Sequence, residues 1–172
     1  NAYKEDDSGN PANLWRPNGI PLKMNVTSSI DNLDTSEYLE IKVSVPIDSR
    51  YGAPIGTLNA LTDPSGNITV AKVGIAGQYE VWKITINNTL TAQDQETALN
   101  TYLSANNNLF FVPANDWAGR LTGTDGIKVE LSSIEKATGD QVAVKEAIDT
   151  KYIDVDVLPV ADSPIVQIKG NA

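Results

Sequence analysis

The chain has 172 residues, a length that suits one domain with a sizeable core. It carries 22 acidic and 13 basic side chains, a formal net charge of −9. A surface this acidic repels phosphate, which excludes nucleic acids and anionic membranes as expected partners. The absence of cysteine and histidine excludes disulfides, thiol chemistry, imidazole metal sites and the commonest general base. No apolar run reaches the roughly 20 residues of a membrane helix, so no membrane insertion is expected.

Alternating apolar residues predict a series of strands after an irregular, Gly- and Pro-containing start over residues 1–19. The segments with this pattern are IPLKMNV (20–26), YLEIKVSV (38–45), NITVAKV (67–73), YEVWKITI (79–86), NLFFV (108–112), GIKVELSSI (126–134), QVAV (141–144) and KYIDVDVL (151–158). The clearest of them, 38–45, places Leu39, Ile41, Val43 and Val45 on one face.

One segment, 91–105, has a helical pattern instead. Its apolar residues at helical spacing are Ala98, Leu99, Tyr102 and Leu103. Thr91 stands three residues before Asp94, as in a capping box, and predicts where the helix begins. The segments together predict an all-β fold, an antiparallel immunoglobulin-like or cadherin-like β-sandwich of about seven or eight strands with one short helix between late strands.

The carboxylates are concentrated in loops, where Ca²⁺ usually finds its oxygen ligands. The candidate calcium ligands are Glu5, Asp6, Asp7, Asp34, Glu37, Asp116 and Asp162. Strand directions in an immunoglobulin-like sandwich would bring the last four to one pole and the first residues to the opposite pole. The alternative is that these are solvated turn residues, because Asp also favours turns.

Four segments in a fixed order resemble one family. They are KEDD (4–7), DTSEYL (34–39), LFFVPANDWAG (109–119) and VLPVADSP (157–164). Together they resemble the cadherin-like or immunoglobulin-like tandem repeats of large bacterial RTX-type surface adhesins. Thr35 stands where the family usually has Gly, and the chain is longer than the roughly 100 residues typical of such sandwiches.

The resemblance implies a Ca²⁺-stabilised extender domain in an extracellular stalk on the bacterial surface. Such a stalk holds a ligand-binding region away from the cell for adhesion and biofilm formation. The implied partners are neighbouring tandem domains of the same chain and a host or biofilm surface ligand, and a monomer is expected.

The domain is expected to cover residues 1–163, and residues 164–172 to be a linker and the first-strand start of a next repeat. The chain begins with polar residues and no signal peptide, so we expect it to be a piece of a longer protein. Asp162, between Pro159 and Pro164, would then share calcium at the joint between domains, where the two prolines restrict the backbone.

Two other functions remain open. A module that binds a glycan, peptide or surface would use exposed aromatic rings, for which Trp15 is the candidate, whereas Trp82 and Trp117 are expected to pack inside. A glycosidase would need a carboxylate pair across a cleft. Asp154 and Asp156 are expected to share one exposed strand face instead, and no catalytic motif is present, so we expect no enzyme.

Overall fold

The computed structural model describes residues 3–4, 19–27, 36–105, 108–115, 117–136 and 144–158. These residues form a mostly β fold with antiparallel sheets and one α-helix, which confirms the predicted class at that level. The strands are β1 (Tyr3–Lys4), β2 (Ile20–Pro21), β3 (Glu37–Asp48), β4 (Ala53–Pro54), β5 (Gly56–Ala60), β6 (Ile68–Ala76), β7 (Tyr79–Ile86), β8 (Leu109–Pro113), β9 (Gly119–Leu121), β10 (Ile127–Glu135), β11 (Val144–Ile153) and β12 (Val155–Leu158). Helix α1 spans Ala92–Ser104, and a short 3₁₀ helix spans Gly123–Asp125.

The largest sheet has the strand order β11-β10-β3-β7-β6, with β4 paired to the end of β3. All its neighbouring strands are antiparallel. The 12-residue strand β3 lies at the centre. The predicted apolar face of β3 is confirmed, because Leu39, Ile41, Val43 and Val45 are all at most 1% exposed.

A second layer covers that face of β3. It consists of helix α1 and a sheet with the order β2-β8-β5. Leu99 and Leu103 of α1, Leu58 of β5 and Phe111 of β8 belong to the same buried cluster as the apolar face of β3. Gly56 allows β5 and β8 to approach closely, because a Cβ there would lie 2.4 Å from the carbonyl oxygen of Val112.

Helix α1 begins as predicted and is attached to β3 through one buried amide. The Thr91 side chain accepts a hydrogen bond from the Asp94 backbone N–H (3.2 Å). Gln95 is 0% exposed. Its Oε1 accepts from Leu39 N–H (2.9 Å), and its Nε2 donates to the carbonyl oxygens of Glu37 (3.1 Å) and Leu90 (3.0 Å). One side chain of the helix therefore satisfies two backbone groups of β3 and one of the turn that precedes the helix.

The third sheet, β1-β12-β9, contains the first and last described strands. Strand β1 is parallel to β12 and β9 is antiparallel to it. The predicted strand over 151–158 is divided at Asp154, where the chain passes from one sheet to another. The Asp154 carboxylate accepts a hydrogen bond from Gly123 N–H (2.9 Å). Asp154 therefore lies between two strands rather than within one, but it and Asp156 are both exposed while Val155 between them is buried, which agrees with the expected exposed face.

Some strand boundaries also differ from those that the alternating apolar residues predict. Over 20–26 only Ile20–Pro21 forms a strand, and the chain then runs along the core through isolated hydrogen bonds such as Leu22 N–H to Leu109 O (2.9 Å). The short strands β4, β5 and β9 were not predicted, since their pairing depends on partners distant in sequence. No helix within the described ranges has the length and apolar character needed to cross a membrane.

Replacing Gln95 with Leu should lower the free energy of unfolding by about 2–4 kcal/mol, because it leaves the buried Leu39 N–H and two carbonyl groups without their partner. Urea titration measures this change. Gln93→Leu is the matched control, since Gln93 lies on the same helix with its side chain exposed. Equal losses in the two variants would contradict the proposed attachment.

Candidate functional site

Several chain segments meet at one end of the fold. Lys4 is in register with Leu158, and Gly119 is in register with Val157. Just before Gly119 in the chain, Trp117 donates a hydrogen bond from Nε1 to Oδ2 of Asp48, at the end of β3 (3.0 Å). We call this end of the fold, defined by Lys4, Asp48, Trp117 and Leu158, the exit pole.

Three separate acidic segments adjoin the exit pole in the sequence. Glu5, Asp6 and Asp7 follow Lys4, Asp116 directly precedes Trp117, and Asp162 comes shortly after Leu158. These five residues, together with Asp34 and Trp15, lie outside the described residues. The described strands that flank them nevertheless converge, because β1 and β12 run in parallel and β9 runs back beside β12.

Glu37 is the one candidate calcium ligand within the described residues, and it lies at the other end of β3. Eleven residue steps separate it from Asp48, which corresponds to roughly 36 Å in an extended strand. The expected pole assignment therefore differs from the structure in two respects. Glu37 lies far from Trp117, the neighbour of Asp116, and Lys4 lies at the exit pole rather than opposite it. The position of Lys4 follows from the parallel pairing of β1 with β12, and that of Glu37 from the length of β3, whose other end bonds Trp117 through Asp48.

Asp48 is held firmly at the exit pole. Its carboxylate accepts hydrogen bonds from the Arg50 backbone N–H (2.8 Å), Arg50 Nε (3.0 Å) and Nη2 (2.5 Å), as well as from Trp117 Nε1. The Arg50 guanidinium is the largest cause that lowers the pKa of Asp48 far below its ordinary value, and Trp117 contributes although burial opposes the shift. With its oxygens occupied, Asp48 acts as a structural link between β3 and the loop that precedes β9.

A pocket of about 460 Å³ opens beside this link. Ile55 and the buried ring of Trp117 contribute apolar surface to it. Its polar side chains come from the end of β3, the β6–β7 turn, β9 and the 3₁₀ helix, and include Asp48, Arg50, Gln78, Tyr79, Arg120 and Asp125. The volume falls within the range typical of small-molecule sites.

The sequence pattern does not predict this pocket. Its polar residues are isolated in sequence, and none matches a known motif. The one local signal is Asp48 two residues before Arg50, directly after the clearest predicted strand. Trp117 packs inside as expected, while Trp82 is only partly buried and packs against the core.

A second buried carboxylate, Glu80, has a structural role. Lys72 forms an ion pair with it, Trp82 Nε1 donates to its Oε1 (2.9 Å), and the Thr57 hydroxyl lies 3.3 Å from the same oxygen. Burial acts to raise the pKa of Glu80, but these contacts outweigh it and the pKa is lowered. Among the described residues, no three acidic side chains form a group that could hold a metal ion.

Comparison with known proteins finds no matching family model, no matching curated protein and no matching solved structure. The function must therefore be inferred from the residues and from the geometry of the exit pole.

Replacing Asp48 with Asn should reduce the loss of folding stability that the protein undergoes as the pH falls. Because the folded-state pKa of Asp48 is lowered, its contribution is complete above the ordinary value of 3.8 and is lost as the pH falls below it. Urea midpoints measured from about pH 7 to pH 2 should show a less stable variant at neutral pH with a smaller loss in acid.

Asp125→Asn is the control for this experiment, since Asp125 is an exposed carboxylate of the same pocket. An Asp48→Asn variant with the acid dependence of the wild type would show that the link to Arg50 and Trp117 does not stabilise the fold.

Proposed function

We propose that the chain is a Ca²⁺-stabilised structural domain, an extender in the stalk of a bacterial cell-surface adhesin. The observation that carries this proposal is the strand register at the exit pole. It brings Lys4, Leu158 and the segment before Gly119 together, and each of these adjoins an acidic stretch of the sequence.

Calcium fits the donors that these stretches would provide. Ca²⁺ takes six to eight oxygen ligands, mainly from Asp, Glu and loop carbonyls. Glu5, Asp6, Asp7, Asp116 and Asp162 are the residues that would hold it, whereas Asp48 is already occupied by Arg50 and Trp117. When bound, the ion supplies positive charge that offsets repulsion between the carboxylates of a chain with net charge −9.

We also propose that the two described layers belong to an immunoglobulin-like or cadherin-like sandwich. Support comes from the antiparallel main sheet, from the shared core with the β2-β8-β5 sheet, and from the parallel pairing of β1 with β12. In this arrangement Lys4 and Leu158 lie side by side at the pole that the acidic residues adjoin in sequence. A metal bound there would stiffen the joint with the next domain.

The role that follows is mechanical. The protein would act outside the cell as a monomeric unit of a stalk, with neighbouring domains of the same chain as its partners. Calcium at the joint would keep the stalk extended, and its removal would loosen the joint while the core of each domain stays folded.

Thermal melts should show a rise in Tm in millimolar Ca²⁺ relative to EDTA, and no comparable rise in Mg²⁺, since a ligand that binds only the folded state stabilises it. Asp116→Asn should lose most of this rise. Glu37→Gln should keep it, because Glu37 lies at the opposite end of β3.

Asp149→Asn serves as the control, since this exposed carboxylate belongs to β11 in the main sheet. A wild-type chain without a Ca²⁺-specific rise would contradict a calcium site complete within this chain. An Asp116→Asn variant that keeps the full rise would exclude this residue as a ligand.

In a tandem of two copies, Asp162→Ala should loosen the joint without unfolding either copy. Small-angle X-ray scattering in Ca²⁺ should then change from the profile of an extended rod to that of a flexible pair. A single copy carrying the same substitution is the control and should keep its cooperative melt. An unchanged extended profile would count against a role for Asp162 in the joint.

A further inference from the structure

The pocket beside Asp48 contains polar groups that the fold leaves unused. The side chains of Gln78, Arg120 and Asp125 have no hydrogen-bond or ion-pair partner in the described part of the chain, and the Tyr79 hydroxyl has none either. A pocket of about 460 Å³ with four such groups has the properties of a binding site rather than of a packing defect.

We propose that this pocket binds a saccharide that carries a carboxylate, such as a uronic acid unit. This function goes beyond a structural role in the stalk and does not depend on it.

Arg120 is the reason to expect a carboxylate on the ligand. Its planar guanidinium presents paired N–H donors that match a carboxylate, and it is exposed on β9. Arg50 adds a second guanidinium to the pocket lining. Because Arg50 is already paired with Asp48, Arg120 is the guanidinium against which a ligand carboxylate would be placed.

The remaining side chains of the pocket favour a saccharide as the ligand. Sugar hydroxyl groups both donate and accept hydrogen bonds. They can donate to the Asp125 carboxylate, and they can both donate to and accept from the Gln78 side-chain amide. The Tyr79 ring offers apolar surface for the C–H face of a sugar. An acidic peptide would satisfy Arg120 but has fewer hydroxyl donors for Asp125, so the wall favours the saccharide.

Two side chains of the pocket lining, Arg50 and Tyr79, contact neighbouring groups before any ligand binds. Asp48 fixes the Arg50 guanidinium through Nε and Nη2, and the same guanidinium lies 5.3 Å from the centre of the Tyr51 ring. On the other side, Lys128 Nζ lies 5.7 Å from the centre of the Tyr79 ring. Groups already ordered lose little conformational entropy when a ligand binds.

The test is an NMR titration of ¹⁵N-labelled protein with a galacturonic acid oligosaccharide, in EDTA so that calcium cannot bridge carboxylates. The matched ligands are the corresponding neutral galactose oligosaccharide and N-acetyl-glutamate amide. We expect the acidic oligosaccharide to shift the amide signals of Gln78, Tyr79 and Arg120 and the indole signal of Trp117. Arg120→Gln should weaken this binding on the order of ten-fold or more, because a hydrogen-bonded charge pair is lost.

Lys151→Gln is the control, because it removes an exposed cation of β11 that does not line this pocket. Binding that is equal for the neutral oligosaccharide, or unaffected by Arg120→Gln, would overturn the proposal. A response to N-acetyl-glutamate amide but not to the oligosaccharide would replace it with an acidic peptide site. No shift at these signals with any of the three ligands would also overturn it.

Discussion

Burial of one face of β3 is the constraint on which the rest of the structure depends. Leu39, Ile41, Val43 and Val45 leave almost no surface to solvent, so a second layer must cover this face of the strand, which pairs with β10 on one side and β7 on the other. Helix α1 contributes to that layer and is aligned by Gln95, whose side chain bonds two backbone groups of β3. Once β3 is placed, its two ends define two separate regions of the molecule, with Glu37 at one and Asp48 at the other.

The acidic residues of this chain have different physical roles, which the amino-acid composition alone does not distinguish. Asp48 and Glu80 are low-exposure carboxylates whose cationic and N–H partners satisfy them and lower their pKa values. Such residues stabilise the fold through specific contacts and have little capacity left for a metal. The proposed calcium ligands belong to segments that adjoin, in sequence, a pole where strand ends converge.

The structural and binding proposals use neighbouring parts of the same pole by different chemistry. The joint would depend on carboxylates that a hard cation brings together. The pocket depends on guanidinium, amide and phenol groups that project from β9 and the β6–β7 turn. Asp48 lies between the two, because it orders Arg50 on the pocket side and Trp117 on the loop side. A stalk domain that also contacts an acidic saccharide would contribute to adhesion along its length.

The sequence by itself determined the elements whose pattern is local. The two-residue alternation of β3 and β7 and the helical spacing with its Thr91 cap were predictable, because each depends on neighbours in the chain. The tertiary structure alone decided which segments meet. The short strands β5 and β9 exist because distant partners complete their ladders, and the chain changes sheet at Asp154, whose carboxylate accepts a hydrogen bond from Gly123 N–H. The parallel register of β1 with β12 likewise placed Lys4 beside Leu158, and the span of β3 placed Glu37 at the opposite end from Asp48. Such pairing is a long-range choice between sheet edges, and no local propensity in the sequence specifies it.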